Sequence, residues 1–196
     1  MSIKKQTKMK YLKYTSLLFA LVVLSCLNGE KNSNKEPGNE QASDNASELQ
    51  SKNIHIEDIK EKMCNEFPKE LVLKYNTDAT HIDIERVDNG SGGILHCNIK
   101  LFYGKKEYEF WKGQVSAWVN QQEDPFWQYN PARNATLYQE VEGIGERAVY
   151  ISNMYLLQIL KDGVMYSIVP PNRGSTTNTG KENKEIAIEI ANHYNL

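Results

Sequence analysis

The chain has 196 residues, which bounds it to one domain with room for tails. Its formal net charge of −2 hides an asymmetry, because the only charged residues before Cys26 are five lysines, and without them 18 basic residues face 25 acidic ones, a net −7. An acidic domain with no basic cluster has no means of gripping a phosphate backbone, so no nucleic-acid partner is expected.

The front end is read as a targeting device. Lys4, Lys5, Lys8, Lys10 and Lys13 precede an uncharged run, Tyr14 to Leu27, that contains Leu17-Leu-Phe-Ala-Leu-Val-Val-Leu-Ser-Cys26. That run is shorter than the ~20 apolar residues a membrane helix needs and has the length of a signal-peptide core. Val23-Leu24-Ser25-Cys26 resembles the lipobox of bacterial lipoproteins, with Val23 and Leu24 where Leu and Ala or Ser are usual. The resemblance implies a signal peptide over 1–25, cleavage before Cys26, and a diacylglycerol on the Cys26 thiol. Secretion with cleavage at the same place, without lipid, and an uncleaved membrane helix are the alternatives. The expected location is the cell envelope, with the protein anchored to a membrane and facing the extracytoplasmic space.

Residues 26–53 read as the lipidated cysteine and a tether. Asn28 to Asn53 has no aromatic or β-branched residue, and Ala42, Ala46 and Leu49 are its only apolar side chains. Such a stretch cannot bury enough surface to offset the entropy of ordering it.

Residues 54–196 read as one α+β envelope domain. Ile56, Ile59, Met63 and Phe67 recur at helical spacing up to Pro68, and a short helical turn follows from Lys69 to Tyr75. His81 to Val87 alternates with period two, the Gly-rich segment 88–93 turns, and Ile94 to Tyr103 is a second strand. Glu107 to Trp111 reads as a third. Beyond Gly113 the period is ambiguous. Trp111, Val115, Trp118, Val119 and Gln122 fit a helical face, whereas Val115, Ala117 and Val119 alternate. A helix to about Gln122 is expected. Asp124 to Arg133, with Pro125 and Pro131, is a loop. Strands follow at Thr136 to Val141, Ala148 to Ile151 and Tyr155 to Leu160, and Asp162-Gly163 marks a hairpin into Val164 to Val169. Ile186, Ala187, Ile190, Ala191 and Tyr194 form the stripe of a closing helix. The expected architecture is an antiparallel sheet with an N-terminal and a C-terminal helix packed on it.

With Cys26 lipidated, Cys64 and Cys97 remain. In an exported domain two cysteines usually pair. Free thiols are one alternative. A metal site with His96, or with His81 and Asp83, is another, but no CxxC or HxxxH spacing supports it, and no metal or cofactor is expected.

This layout resembles the small two-cysteine bacterial lipoproteins akin to the extracellular sensor domains of PknH-type kinases. One cysteine lies in an opening helix, as Cys64 would, and its partner in a strand, as in His96-Cys97-Asn98. Val141-Glu-Gly-Ile-Gly-Glu-Arg-Ala148 is similar to that group's Val-x-Gly-Leu-Gly-Asp/Glu-x-Ala. The resemblance implies a disulfide-stapled α+β domain that binds something and has no catalytic residues.

Candidate chemistry is sparse. Gly143-Ile144-Gly145 lies between two strands and reads as a turn rather than a phosphate loop. Glu107 and Glu109 flank Tyr108 and would be the carboxylates of an extracytoplasmic hydrolase, but they alternate with Tyr108 and Phe110 like a solvated strand face. No nucleophile elbow is present. The aromatics carry more information. Nine fall between Phe102 and Tyr129, including all three tryptophans. Most of these should fill the core. Trp127 and Tyr129 sit in a loop between prolines, and that loop beside Trp111 and Trp118 is the candidate ligand or partner surface. The function expected is non-catalytic binding or sensing of a small ligand or an envelope protein. A hydrolase, or a structural lipoprotein packed in an envelope complex, are the alternatives.

Overall fold

The structure, a computed structural model, describes residues 55–196 apart from Lys105 and Glu107. Cys26 and the residues read above as signal peptide and tether lie outside the described residues. The elements run α1 (Ile56–Asn65), α2 (Lys69–Tyr75), β1 (His81–Asp88), β2 (Ile94–Phe102), β3 (Phe110–Val119), β4 (Tyr138–Val141), β5 (Arg147–Ile151), β6 (Leu156–Lys161), β7 (Val164–Val169) and α3 (Asn183–His193). The strands form one sheet in the order β1-β2-β3-β7-β6-β5-β4, and each described pairing is antiparallel. The α+β class with an antiparallel sheet is therefore observed. Among the described residues no helix is long and apolar enough to cross a membrane.

Side chains alternate across the sheet, so every strand contributes to two faces. On one face Ile82, Cys97, Ile99, Leu101, Val115, Ala117, Ala148, Leu157, Ile159 and Ile168 meet the helices. The helices supply Met63, Phe67, Val72, Ile186, Ala187, Ile190 and Tyr194 to this main core. Cys64 on α1 and Cys97 on β2 are joined by a disulfide. Two polar ties reinforce the seat of α1. Glu57 accepts the backbone N–H of Ile94 at 2.8 Å, and the Tyr194 hydroxyl donates to the Met63 carbonyl at 2.7 Å.

The helix expected from Gly113 to Gln122 is not formed. Gly113 to Val119 continue β3, which pairs with β2 on one side and β7 on the other, and Asn120 to Gln122 begin the next connection. Gly113 is therefore not a break. A Cβ there would come within 2.4 Å of the Val169 carbonyl oxygen and 2.5 Å of the Pro171 nitrogen, so only glycine lets the end of β7 approach this closely. The period-two set Val115, Ala117 and Val119 won because β3 is a central strand with partners on both edges. Asp162-Gly163 forms the β6–β7 hairpin with both residues at positive φ, 52° and 76°, as a two-residue turn that matches strand twist requires. The Gly143 to Gly145 segment lies in the turn between β4 and β5.

The strand order has one consequence that places the candidate site. β3 is the third strand of the sheet and β4 lies at its far edge, so the connection over 120–137 must cross β7, β6 and β5. It crosses on the face away from the helices. There Phe126, fully buried, packs with Val149, Ile151, Leu156 and Met165 as a second, smaller core, with Tyr129 and Tyr138 against it.

Candidate functional site

The crossing segment is fixed by short-range polar bonds. The Asn120 amide oxygen accepts from the Gln122 N–H at 3.0 Å, and its amide nitrogen donates to the Gln122 carbonyl at 2.8 Å. Asp124 accepts from the Phe126 N–H at 3.0 Å, an Asx turn that directs Phe126 inward. The Arg147 guanidinium sits 4.8 Å over the Phe126 ring and 3.4 Å from the Asp124 carboxylate. A 3₁₀ turn, Trp127–Tyr129, follows, and Arg133 donates to the Trp127 carbonyl at 3.1 Å. The anchor at Phe126 thus forces its neighbour Trp127 outward, where it is 53% exposed.

Between this segment and the sheet lies a cleft of about 310 Å³, lined by Trp118, Val119, Asn120, Gln121, Gln122, Pro125, Trp127, Gln128, Tyr129, Gln158 and Met165. Three of the four aromatic residues singled out in the sequence, Trp118, Trp127 and Tyr129, share this lining. Trp118 is 41% exposed on β3, and Tyr129 meets Tyr138 edge-on, ring centres 5.7 Å apart. Trp111 is elsewhere. It is seven residues back along β3 and therefore on the opposite face, about 23 Å away along the strand. It lines a separate hollow with Tyr103, Tyr108, Glu109, Phe110 and Arg173, whose guanidinium lies 4.7 Å over the Tyr103 ring. The aromatic cluster of the sequence is thus split between two places, while Phe126 and Phe102 are buried.

The cleft also holds residues that the sequence reading passed over. Asn120, Gln121, Gln122, Gln128 and Gln158 bring five carboxamides to it, and among the described residues no acidic or basic side chain lines it. Gln158 had a signal of its own. It is the one polar residue in Leu156-Leu-Gln-Ile-Leu160. Its amide oxygen is buried with no hydrogen-bond partner among the described residues. Buried polar atoms are nearly always paired, so this orphan, on a residue that lines the cleft, stands out.

No protein-family profile matches this chain. Neither curated proteins nor solved structures supply a significant match.

The rest of the open sheet face is charged. His81 stacks on Phe102 with ring centres 4.4 Å apart, beside Asp83, and Lys100 pairs with Glu85 at 3.0 Å. The Lys100 ammonium holds the Glu85 carboxyl below the usual carboxylate range, with help from the Asn98 amide. The Lys100–Glu85 pair is solvated, and among the described residues no group of three or more His, Cys, Asp or Glu side chains converges as a metal site. Glu109 lines the Trp111 hollow, and Glu107 lies outside the described residues.

Proposed function

We propose that this chain is a lipid-anchored protein of the cell envelope whose domain binds a ligand without transforming it. The observation that carries the binding half is the cleft under the 120–137 crossing segment, where Trp118, Trp127 and Tyr129 stand beside unpaired amide chemistry. Aromatic side chains give large contact area at low entropic cost, and a rigidly seated loop presents them without further ordering. Nothing in the lining is a charged acid or base, so the cleft is equipped for recognition and not for proton transfer. The anchoring half is supported by the lysines, the oily run and Cys26 in the sequence, and by the Cys64–Cys97 bridge, a bond at home in oxidising compartments. The resemblance to two-cysteine sensor lipoproteins points the same way. The lipid and tether would hold the domain off the membrane with the cleft free to sample what passes.

Two measurements test the halves separately. Intact mass of the membrane fraction should show an acyl mass on the wild-type chain that Cys26→Ser lacks. Thermal unfolding of the full chain against a panel of saccharides, peptides, nucleosides and fatty acids should show a stabilising class whose effect is lost in Trp118→Ala and Trp127→Ala. An unmodified Cys26 contradicts the anchor, and a panel without effect contradicts the binding reading.

A further inference from the structure

Resting on the reading of the cleft as a binding site, we infer that its ligand is a neutral saccharide of one or two rings. The lining decides the class. A purely apolar ligand would leave the carboxamides of Gln121, Gln122, Gln128 and Gln158 facing it, since of the five only that of Asn120 is already bonded among the described residues, to the Gln122 backbone. A charged ligand would meet no countercharge, since no acidic or basic side chain lines the cleft. A sugar ring has both features that the cleft supplies. Its axial C–H groups form apolar patches that stack on indole and phenol rings, and Trp118 and Trp127, from two different elements, offer partly exposed rings. Its hydroxyls are each donor and acceptor, and so is each carboxamide, which lets one Asn or Gln bridge two neighbouring hydroxyls. Gln158 adds an amide whose oxygen has no donor among the described residues. A volume of about 310 Å³ is at the small end of ligand sites, which suits a mono- or disaccharide or the end of a longer chain.

The test is calorimetric titration of the full-length, disulfide-bonded chain with N,N′-diacetylchitobiose, cellobiose and maltose. Digalacturonate and a proline-rich decapeptide serve as comparison probes, the peptide because aromatic grooves also take polyproline segments. The expected result is saturable binding of at least one neutral disaccharide, unchanged in Trp111→Ala and at least about tenfold weaker in both Trp127→Ala and Gln158→Leu. Each variant is first shown to unfold cooperatively, and Trp127→Phe should recover part of the affinity. If only the peptide or only the charged sugar binds, with the same variant dependence, the saccharide is wrong and the cleft stands. Disaccharide binding that is indifferent to Trp127 and Gln158 places the sugar elsewhere and overturns the inference. If no probe binds, the inference and the binding reading fall together.

Discussion

Phe126 is fully buried and Trp127, the next residue, is more than half exposed, and the first condition produces the second. Phe126 is the hydrophobic pin of the crossing segment, capped by the Arg147 guanidinium at 4.8 Å. Without it the segment keeps only the partly buried Tyr129 against the sheet face, and Trp127 loses its fixed position over the cleft. Phe126→Ala is expected to cost about 3–4 kcal/mol in urea unfolding, as truncation of a buried phenylalanine does. It should also abolish ligand binding. Arg147→Met is the milder companion. It removes the cation over the ring and the link to Asp124, costs about 1 kcal/mol, and weakens binding without abolishing it.

Gln158 gives a prediction of opposite sign for stability and for binding. Its amide oxygen is buried and unpartnered, so the native fold carries a desolvation cost there. Gln158→Leu replaces that amide with a side chain of similar size. The urea midpoint should stay the same or rise, by up to about 1–2 kcal/mol in stability, while affinity for the ligand falls. A residue with only a structural role would lower both.

The disulfide is the main staple of the α1 end. Cys64 and Cys97 are 33 residues apart, and closing a loop of that length is worth roughly 3–4 kcal/mol in the chain-entropy model. Reductant, or the double variant Cys64→Ala with Cys97→Ala, should lower the stability by that amount in denaturant titrations. The cleft on the far face should keep its binding once the protein is folded, because neither cysteine approaches it.

Alkaline pH should destabilise the domain through its buried tyrosines. Burial raises the hydroxyls of Tyr150, Tyr166 and Tyr194 above the usual tyrosine value, Tyr150 to about 12. The unfolded chain therefore releases these protons first. The stability they contribute is fully present below pH ~10 and is lost as the pH rises toward the folded values. Tyr194→Phe should remove part of that loss. At neutral pH it should cost about 1 kcal/mol, because the bond to the Met63 carbonyl goes with the hydroxyl. Urea unfolding at pH 8 and pH 11 checks both signs.

Most of the sheet was legible in the residues because its strands alternate and its turns carry their own chemistry. Asp162-Gly163, Pro68 and the period of Ile186 to Tyr194 each mark a boundary that the structure keeps. β3 was misread at Gly113. The reason for glycine there is the approach of Val169 and Pro171, 56 and 58 positions later, and no local window contains it. The site was half legible for a related reason. Trp127 and Tyr129 stood out by their proline-bounded loop, and Trp118 joined them once the strand order carried that loop over β6 and β7. Trp111 fell away because one register step on a strand reverses the face. Gln158 joins the cleft only because β7 pairs with β3, which sets β6 two strands from Trp118, and no spacing in the chain announces that long-range pairing.

The three tryptophans make the most direct measurement possible, since two line the cleft and the third is on the other face of the same strand. Each indole N–H gives one resonance in a nitrogen–proton correlation spectrum. Titration of the full-length chain with a neutral disaccharide should move the Trp118 and Trp127 signals together along one binding curve while Trp111 stays still. Three unmoved signals at saturating sugar, or movement of Trp111 alone, would contradict the assignment of this cleft as the binding site.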